Sequence, residues 1–209
     1  MDAWVVGVAG AWGAASSGVA AALLVPRLAR EGGAGRWWVA ALVGGAAAGV
    51  IGWRVGARPE AAVWLLLVPV AVVLAAVDLR VFRLPDVLTL PAAGGTAALL
   101  GAASLLPRQH GSWTHALLGA AVLAAFYGLL FLISPAGMGL GDVKLALTLG
   151  LVLGWSGWRT VVTGTFAGFL AAGLVAAALL VARKADRKTA LPFGPAMLFG
   201  ALVGLALNG

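Results

Sequence analysis

Ala61-Ala62-Val63-Trp64-Leu65-Leu66-Leu67-Val68-Pro69-Val70-Ala71-Val72-Val73-Leu74-Ala75-Ala76-Val77 runs without a charge until Asp78. Such a stretch reaches the roughly 17–25 apolar residues that a membrane-spanning helix needs. Reading outward, uncharged runs recur at 3–26, 37–53, 87–107, 109–141, 145–158, 160–182 and 189–208. Polar flanks trim the 109–141 run to a helix over 114–134. The short 145–158 run borrows Asp142 to Lys144 at its start. No segment alternates apolar and polar residues as the strands of a membrane barrel do. The expectation is an all-α, polytopic membrane bundle of eight helices, two of them in 1–59 and the core in 60–209.

Composition agrees. Charged residues make up 10% of the 209, against about 25% in a soluble domain. That excludes a soluble enzyme and a disordered chain. The absence of cysteine excludes a disulfide-stapled module. Met1-Asp2-Ala3-Trp4 lacks the basic start of a cleavable signal, so the first run reads as a permanent helix.

The basic residues orient the bundle. Arg27, Arg30, Arg36, Arg80, Arg83, Lys144 and the Arg183–Lys188 cluster fall on one side, against Arg54, Arg58, Arg108 and Arg159 on the other. The richer side is expected to face the cytoplasm, with both termini outside. The net charge of +7 sits at helix ends, which reads as anchoring beside anionic lipid and not as nucleic-acid binding. Trp4, Trp37, Trp38, Trp53, Trp113, Trp155 and Trp158 fall at segment ends and read as an interfacial belt.

Of the seven acids, Asp2, Glu31, Glu60 and Asp186 read as solvated loop residues. Asp78 ends the third helix and Asp142 opens the sixth, 64 positions later, on the same face of the membrane. An ionisable group at the edge of hydrocarbon is costly and is a functional candidate by default. Two separately solvated acids are the alternative. If the carboxylates approach, one proton shared between them supports aspartyl chemistry. The ionised acid then deprotonates water while the protonated one polarises a carbonyl. No metal or cofactor is called for. His110 and His115 lie on the outer face and read as solvated, and no Cys exists for a thiol or zinc mechanism.

Gly137-Met138-Gly139-Leu140-Gly141 precedes Asp142. Gly139 and Gly141 are expected to take positive φ and admit a substrate backbone. Gly137 and Gly141 stand at a helix-packing spacing, as do Gly45/Gly49, Gly150/Gly154, Gly164/Gly168 and Gly200/Gly204.

Gly139-Leu140-Gly141-Asp142 resembles the Gly-x-Gly-Asp motif of intramembrane aspartyl proteases. The string 137–145 is similar to type IV prepilin leader peptidases, as is Asp78-Leu-Arg-Val-Phe-Arg-Leu-Pro85-Asp86. Pro192-Phe193-Gly194-Pro195 resembles the family's motif at the start of the last helix. The resemblance covers about 60–209. It implies a multi-pass protein of the prokaryotic cytoplasmic membrane that removes prepilin or pseudopilin leaders on the cytoplasmic side. Cleavage follows a Gly that precedes the substrate's hydrophobic segment. Asp78 and Asp142 carry over as the catalytic pair, while Asp86, beside Pro85, reads as a cap for the fourth helix. Lys144, Arg80 and Arg83 are candidates to orient a substrate carboxylate or lipid, or anchor the interface. Longer members carry an insert between the first two helices, often with paired Cys-x-x-Cys zinc motifs, and also methylate the new N-terminus. Here that link is Pro26 to Arg36 and holds no Cys, so a peptidase without methyltransferase activity is expected. A presenilin-type or signal-peptide-peptidase-type protease would place Tyr before Asp78, where Val77 stands. A proton-coupled transporter would carry its acids near the membrane midplane.

Overall fold

The computed structural model describes residues 3–29, 37–135, 137–183 and 191–209. Among the described residues eight helices run in order: α1 (Ala3–Ala29), α2 (Trp37–Val55), α3 (Pro59–Val81), α4 (Asp86–Ala103), α5 (Trp113–Ile133), α6 (Leu140–Ser156), α7 (Trp158–Val181) and α8 (Gly194–Asn208). No strand occurs among the described residues. The chain is an all-α polytopic bundle. Helices α1 to α5 and α7 are long and apolar enough to cross a membrane, and α6 and α8 are shorter, with 17 and 15 residues. Large apolar side chains such as Val8, Leu42, Leu132, Phe166 and Val181 face outward, where hydrocarbon replaces water as solvent.

Lipid tails are as apolar as Leu, so helices in a bilayer associate by close packing of small residues. The closest pairs are α1 with α2, α5 with α6, and α7 with α8. At α5–α6, a Cβ on Gly119 would come 2.5 Å from the Gly150 carbonyl oxygen, and one on Gly150 would lie as close to the Ala120 Cα. At α7–α8, Gly164 and Gly168 face Gly200 and Gly204 at backbone contact. The pairs Gly150/Gly154, Gly164/Gly168 and Gly200/Gly204 thus sit in helix contacts. Gly45 packs on Ala14, but Gly49 faces open space.

Helix α3 packs against α1, α2, α4 and α8 and buries Val73, Leu74 and Val77 almost completely. Pro59 at its first position removes an N–H that has no helical partner anyway, and it ends where Phe82 turns left-handed at φ 52°. The Phe82 N–H closes on the Asp78 carbonyl at 2.9 Å. A four-residue link, 82–85, then leads into α4.

Most helix ends depart from the charge-free runs by a few residues, and three of them have an evident cause. Helix α1 continues through Pro26 to Ala29, since a charge such as Arg27 does not end a helix at the membrane edge. Helix α4 stops at Ala103, where the Ser104 hydroxyl bonds the Gly101 carbonyl at 2.6 Å and Pro107 disfavours helix in the residue before it. Helix α8 begins at Gly194 instead of 189, after Pro192.

Glu60 is not a solvated loop acid. It is only 3% exposed, and its Oε1 accepts the His110 N–H at 3.1 Å. The α4–α5 link folds over the start of α3 and presses Gly111 against Trp155. Trp155 is therefore buried and leaves the belt, while Trp4, Trp37, Trp38, Trp53 and Trp158 are exposed at or near helix ends. His110 and His115 are exposed. Asp2, Arg30, Glu31, Arg36, Lys184, Asp186, Arg187 and Lys188 lie outside the described residues.

Candidate functional site

Asp78 and Asp142 are 4% and 8% exposed, so both carboxylates lie inside the bundle. Asp78 is in the last turn of α3 and Asp142 is the third residue of α6, which puts both at the same end of the molecule. They are close enough to interact electrostatically. Each is held by one glycine amide. Gly194 N–H donates to Asp78 Oδ2 at 3.0 Å, and Gly139 N–H donates to Asp142 Oδ2 at 3.0 Å. Both donors stand at a helix N-terminus, of α8 and of α6, where free N–H groups and the helix dipole suit an anion. The second oxygen of each carboxylate has no hydrogen bond among the described residues.

The Asp142 contact is half of a capping box: the side chain of the third residue reaches back to the amide of the capping residue. It fixes the carboxylate direction while leaving Oδ1 free. Asp78 has no such local reason to be buried. Its amide donor comes from 116 positions away, so tertiary structure alone makes the contact.

Leu84, in the α3–α4 link, joins the two halves. A Cβ on Gly141 would come within 2.8 Å of the Leu84 Cβ, and one on Gly194 within 3.4 Å of its Cδ2. The same Cβ on Gly194 would lie 2.8 Å from Asp78 Oδ2. Glycine at 141 and 194 is thus required by close approach. Positive φ is not the reason: Gly139 is extended at φ −88°, Gly141 is helical, and among the described glycines only Gly56 and Gly157 have positive φ. Gly137 lies in the turn before α6, its N–H on the Ser134 carbonyl at 3.0 Å, so Gly137 and Gly141 are not a helix-packing pair.

Beside Asp142 stands Tyr127 of α5, the one tyrosine of the chain, buried and within electrostatic reach of that acid. Its ring stacks on Phe169 of α7 at 5.7 Å and meets Phe193 at 6.0 Å. Phe193 directly precedes the Gly194 amide that holds Asp78. The aromatic group therefore braces α5, α7 and the start of α8 around both acids.

Asp86 is the first residue of α4, one place past the capping position that Pro85 occupies, and its side chain makes no cap. It pairs instead with Lys144 at 2.6 Å. The two side chains are 59% and 31% exposed, and they tie the start of α4 to the second turn of α6. Arg80 is half-buried and Arg83 exposed at the same end. Pro192 and Pro195 flank Phe193-Gly194 at the start of α8. Among the described residues no three His, Cys, Asp or Glu side chains converge as a metal site would require. Sequence reading overlooked Tyr127 and Leu84. A lone tyrosine in an otherwise apolar helix was a usable signal, and a Leu among many was not.

Two buried acids, each held by a glycine amide, thus lie at the same end of a polytopic helical bundle. The pattern of the type IV leader peptidase family matches residues 65–182, more than half of the chain, and the protein belongs to that family. Curated relatives include a prepilin leader peptidase/N-methyltransferase of Pseudomonas putida, 34% identical over 70% of this chain and 50% of its own length. Proteins of the same name from Aeromonas hydrophila and Bacillus subtilis (strain 168) are 32% and 29% identical, over 68% and 76% of this chain. The chain spans about half the length of the curated relatives it matches. No solved structure matches it.

Proposed function

We propose that the protein is an aspartyl endopeptidase that removes the leader from type IV prepilins or pseudopilins, using water activated between Asp78 and Asp142. One observation carries the reading: each acid is buried at the same end of the bundle and held by a glycine amide through one oxygen, with no hydrogen bond to the other oxygen among the described residues. A shared proton divides the roles. The ionised carboxylate takes a proton from water, which attacks the scissile carbonyl. The protonated one donates to that carbonyl oxygen; when the resulting gem-diol collapses it takes a proton back, while the acid that deprotonated water gives that proton to the leaving amine. Gly139 keeps the approach to the Asp142 carboxylate free of a side chain, and Gly141 lets Leu84 pack beside it.

The active end faces the cytoplasm in this reading, supported by the basic residues Arg27, Arg80, Arg83, Lys144 and Arg183 at that end and by the positive-inside bias. The membrane is the prokaryotic cytoplasmic one, and no nucleic acid takes part. The internal link between the first two helices carries no cysteine, which supports cleavage without N-methylation. The test is incubation of the detergent-solubilised protein with a prepilin and a methyl donor, followed by mass spectrometry. Loss of the leader mass after a glycine, with no added methyl on the new N-terminus, is expected. An intact prepilin refutes the peptidase, and a methylated product refutes the single activity.

A further inference from the structure

We infer that the cleft between α2 and α8, floored by α3, is the docking site for the apolar helical segment of the substrate adjoining the bond to be cut. This rests on the peptidase reading above. The cleft encloses about 650 Å³ and is apolar along its length.

Its floor is a stripe of α3 at helical spacing, Trp64, Val68, Ala71, Ala75 and Leu79, ending at Arg80. From Trp64 to Arg80, at about 1.5 Å per residue, the stripe is roughly 24 Å long. That exceeds half of the hydrocarbon core, about 15 Å. One lipid tail therefore covers only part of the cleft, whereas a spanning helix covers all of it. Small residues, Ala71 and Ala75 on α3 with Ala40 and Ala47 on α2, let a helix backbone come close, as helix association in lipid requires.

The cleft also has a direction. Near the far end its lining residues Ile51 and Leu205 are buried. There Arg54 Nη2 reaches the Leu207 and Gly209 carbonyls at 3.4 and 3.3 Å, tying α2 to the last turn of α8. Toward the other end Trp37, Leu79 and Phe199 are exposed, so the cleft opens where the acids are. Pro195 and Arg80 line this mouth. Pro195 follows the Gly194 that holds Asp78, and Arg80 lies two residues beyond Asp78. Neither acid lines the cleft itself, so its mouth lies at the same end of the bundle as the acids and next to them in sequence on α3 and α8. Among the described residues Arg80 is the only charge on its walls, so the occupant is uncharged along the cleft and is complemented by an anion at the mouth.

Two measurements test this. The first is the KM preference of the enzyme for an intact prepilin over a leader peptide lacking the apolar segment. Ala75→Trp, which fills the cleft, should reduce that preference about tenfold with little change in kcat. Val122→Trp, on the lipid face of α5, should retain it. The second measurement does not need turnover. The chain has no native cysteine, so Phe199→Cys and Val122→Cys, each combined with Asp142→Asn, can be crosslinked to a cysteine in the substrate's apolar segment. Crosslinking from 199 and not from 122 is expected. Equal crosslinking from both sites, or an unchanged preference in Ala75→Trp, overturns the proposal. A phospholipid that co-purifies with the wild type and is lost from a fully active Ala75→Trp overturns it in favour of a lipid. A wild type that cleaves neither substrate removes the peptidase reading and the docking site with it.

Discussion

The amide of Gly194 and the carboxylate of Asp78 meet at 3.0 Å across 116 positions of sequence, in a space that a single methyl group would close. The start of α8 is therefore part of the site, although it contributes no acid of its own. Gly194→Ala should keep the helical content measured by circular dichroism and lower prepilin cleavage about 10²-fold, as displacement of a reacting group by about 1 Å does. Gly49→Ala, where a Cβ meets nothing within 4 Å, should leave both unchanged.

Tyr127 is expected to act through its ring. Tyr127→Ala removes a buried ring packed on Phe169 and Phe193 and should cost about 3–5 kcal/mol, the range for other buried aromatic side chains. Tyr127→Phe should preserve the unfolding midpoint in detergent and most of the cleavage rate. A large loss of rate in Tyr127→Phe at unchanged stability would assign the work to the hydroxyl.

The Lys144–Asp86 pair is partly exposed at the membrane edge. Pairs of this kind contribute about 0–1 kcal/mol. A double-mutant cycle with Lys144→Met and Asp86→Asn should give a coupling energy in that range, shrinking as salt is raised. Cleavage should survive in both single variants.

At the α5–α6 contact, Gly150→Leu should prevent pairing, because even a Cβ there meets the Ala120 backbone. The expected outcome is loss of the folded species on size-exclusion chromatography. Gly173→Leu, at a position with open space, should remain folded.

The number of helices and most of their ends were legible because charges are excluded from hydrocarbon, so that the spaces between charges trace the spans. The same rule misplaced Glu60, because it registers that a charge lies outside a span and not whether a later link folds over it. It also missed the stop of α4, which Ser104 and Pro107 set locally. Asp78 and Asp142 stood out because acids are rare in such a chain. What held them did not: the Gly194 amide, the Leu84 contact and the Tyr127 ring arise from pairings across distant helices. Gly141 was readable as essential, but for the wrong reason, since close packing on Leu84 and positive φ leave the same letter in a sequence.

The central claim is that Asp78 and Asp142 work as one pair. The most direct test is the cleavage rate of a prepilin by Asp78→Asn, Asp142→Asn and the double variant, each confirmed as membrane-inserted and folded. Losing a positioned acid or base costs about 10²–10⁴-fold. Each single variant should lose at least that much, and the double variant little more than either, because the two act as a unit. Cleavage retained in the double variant would contradict the account.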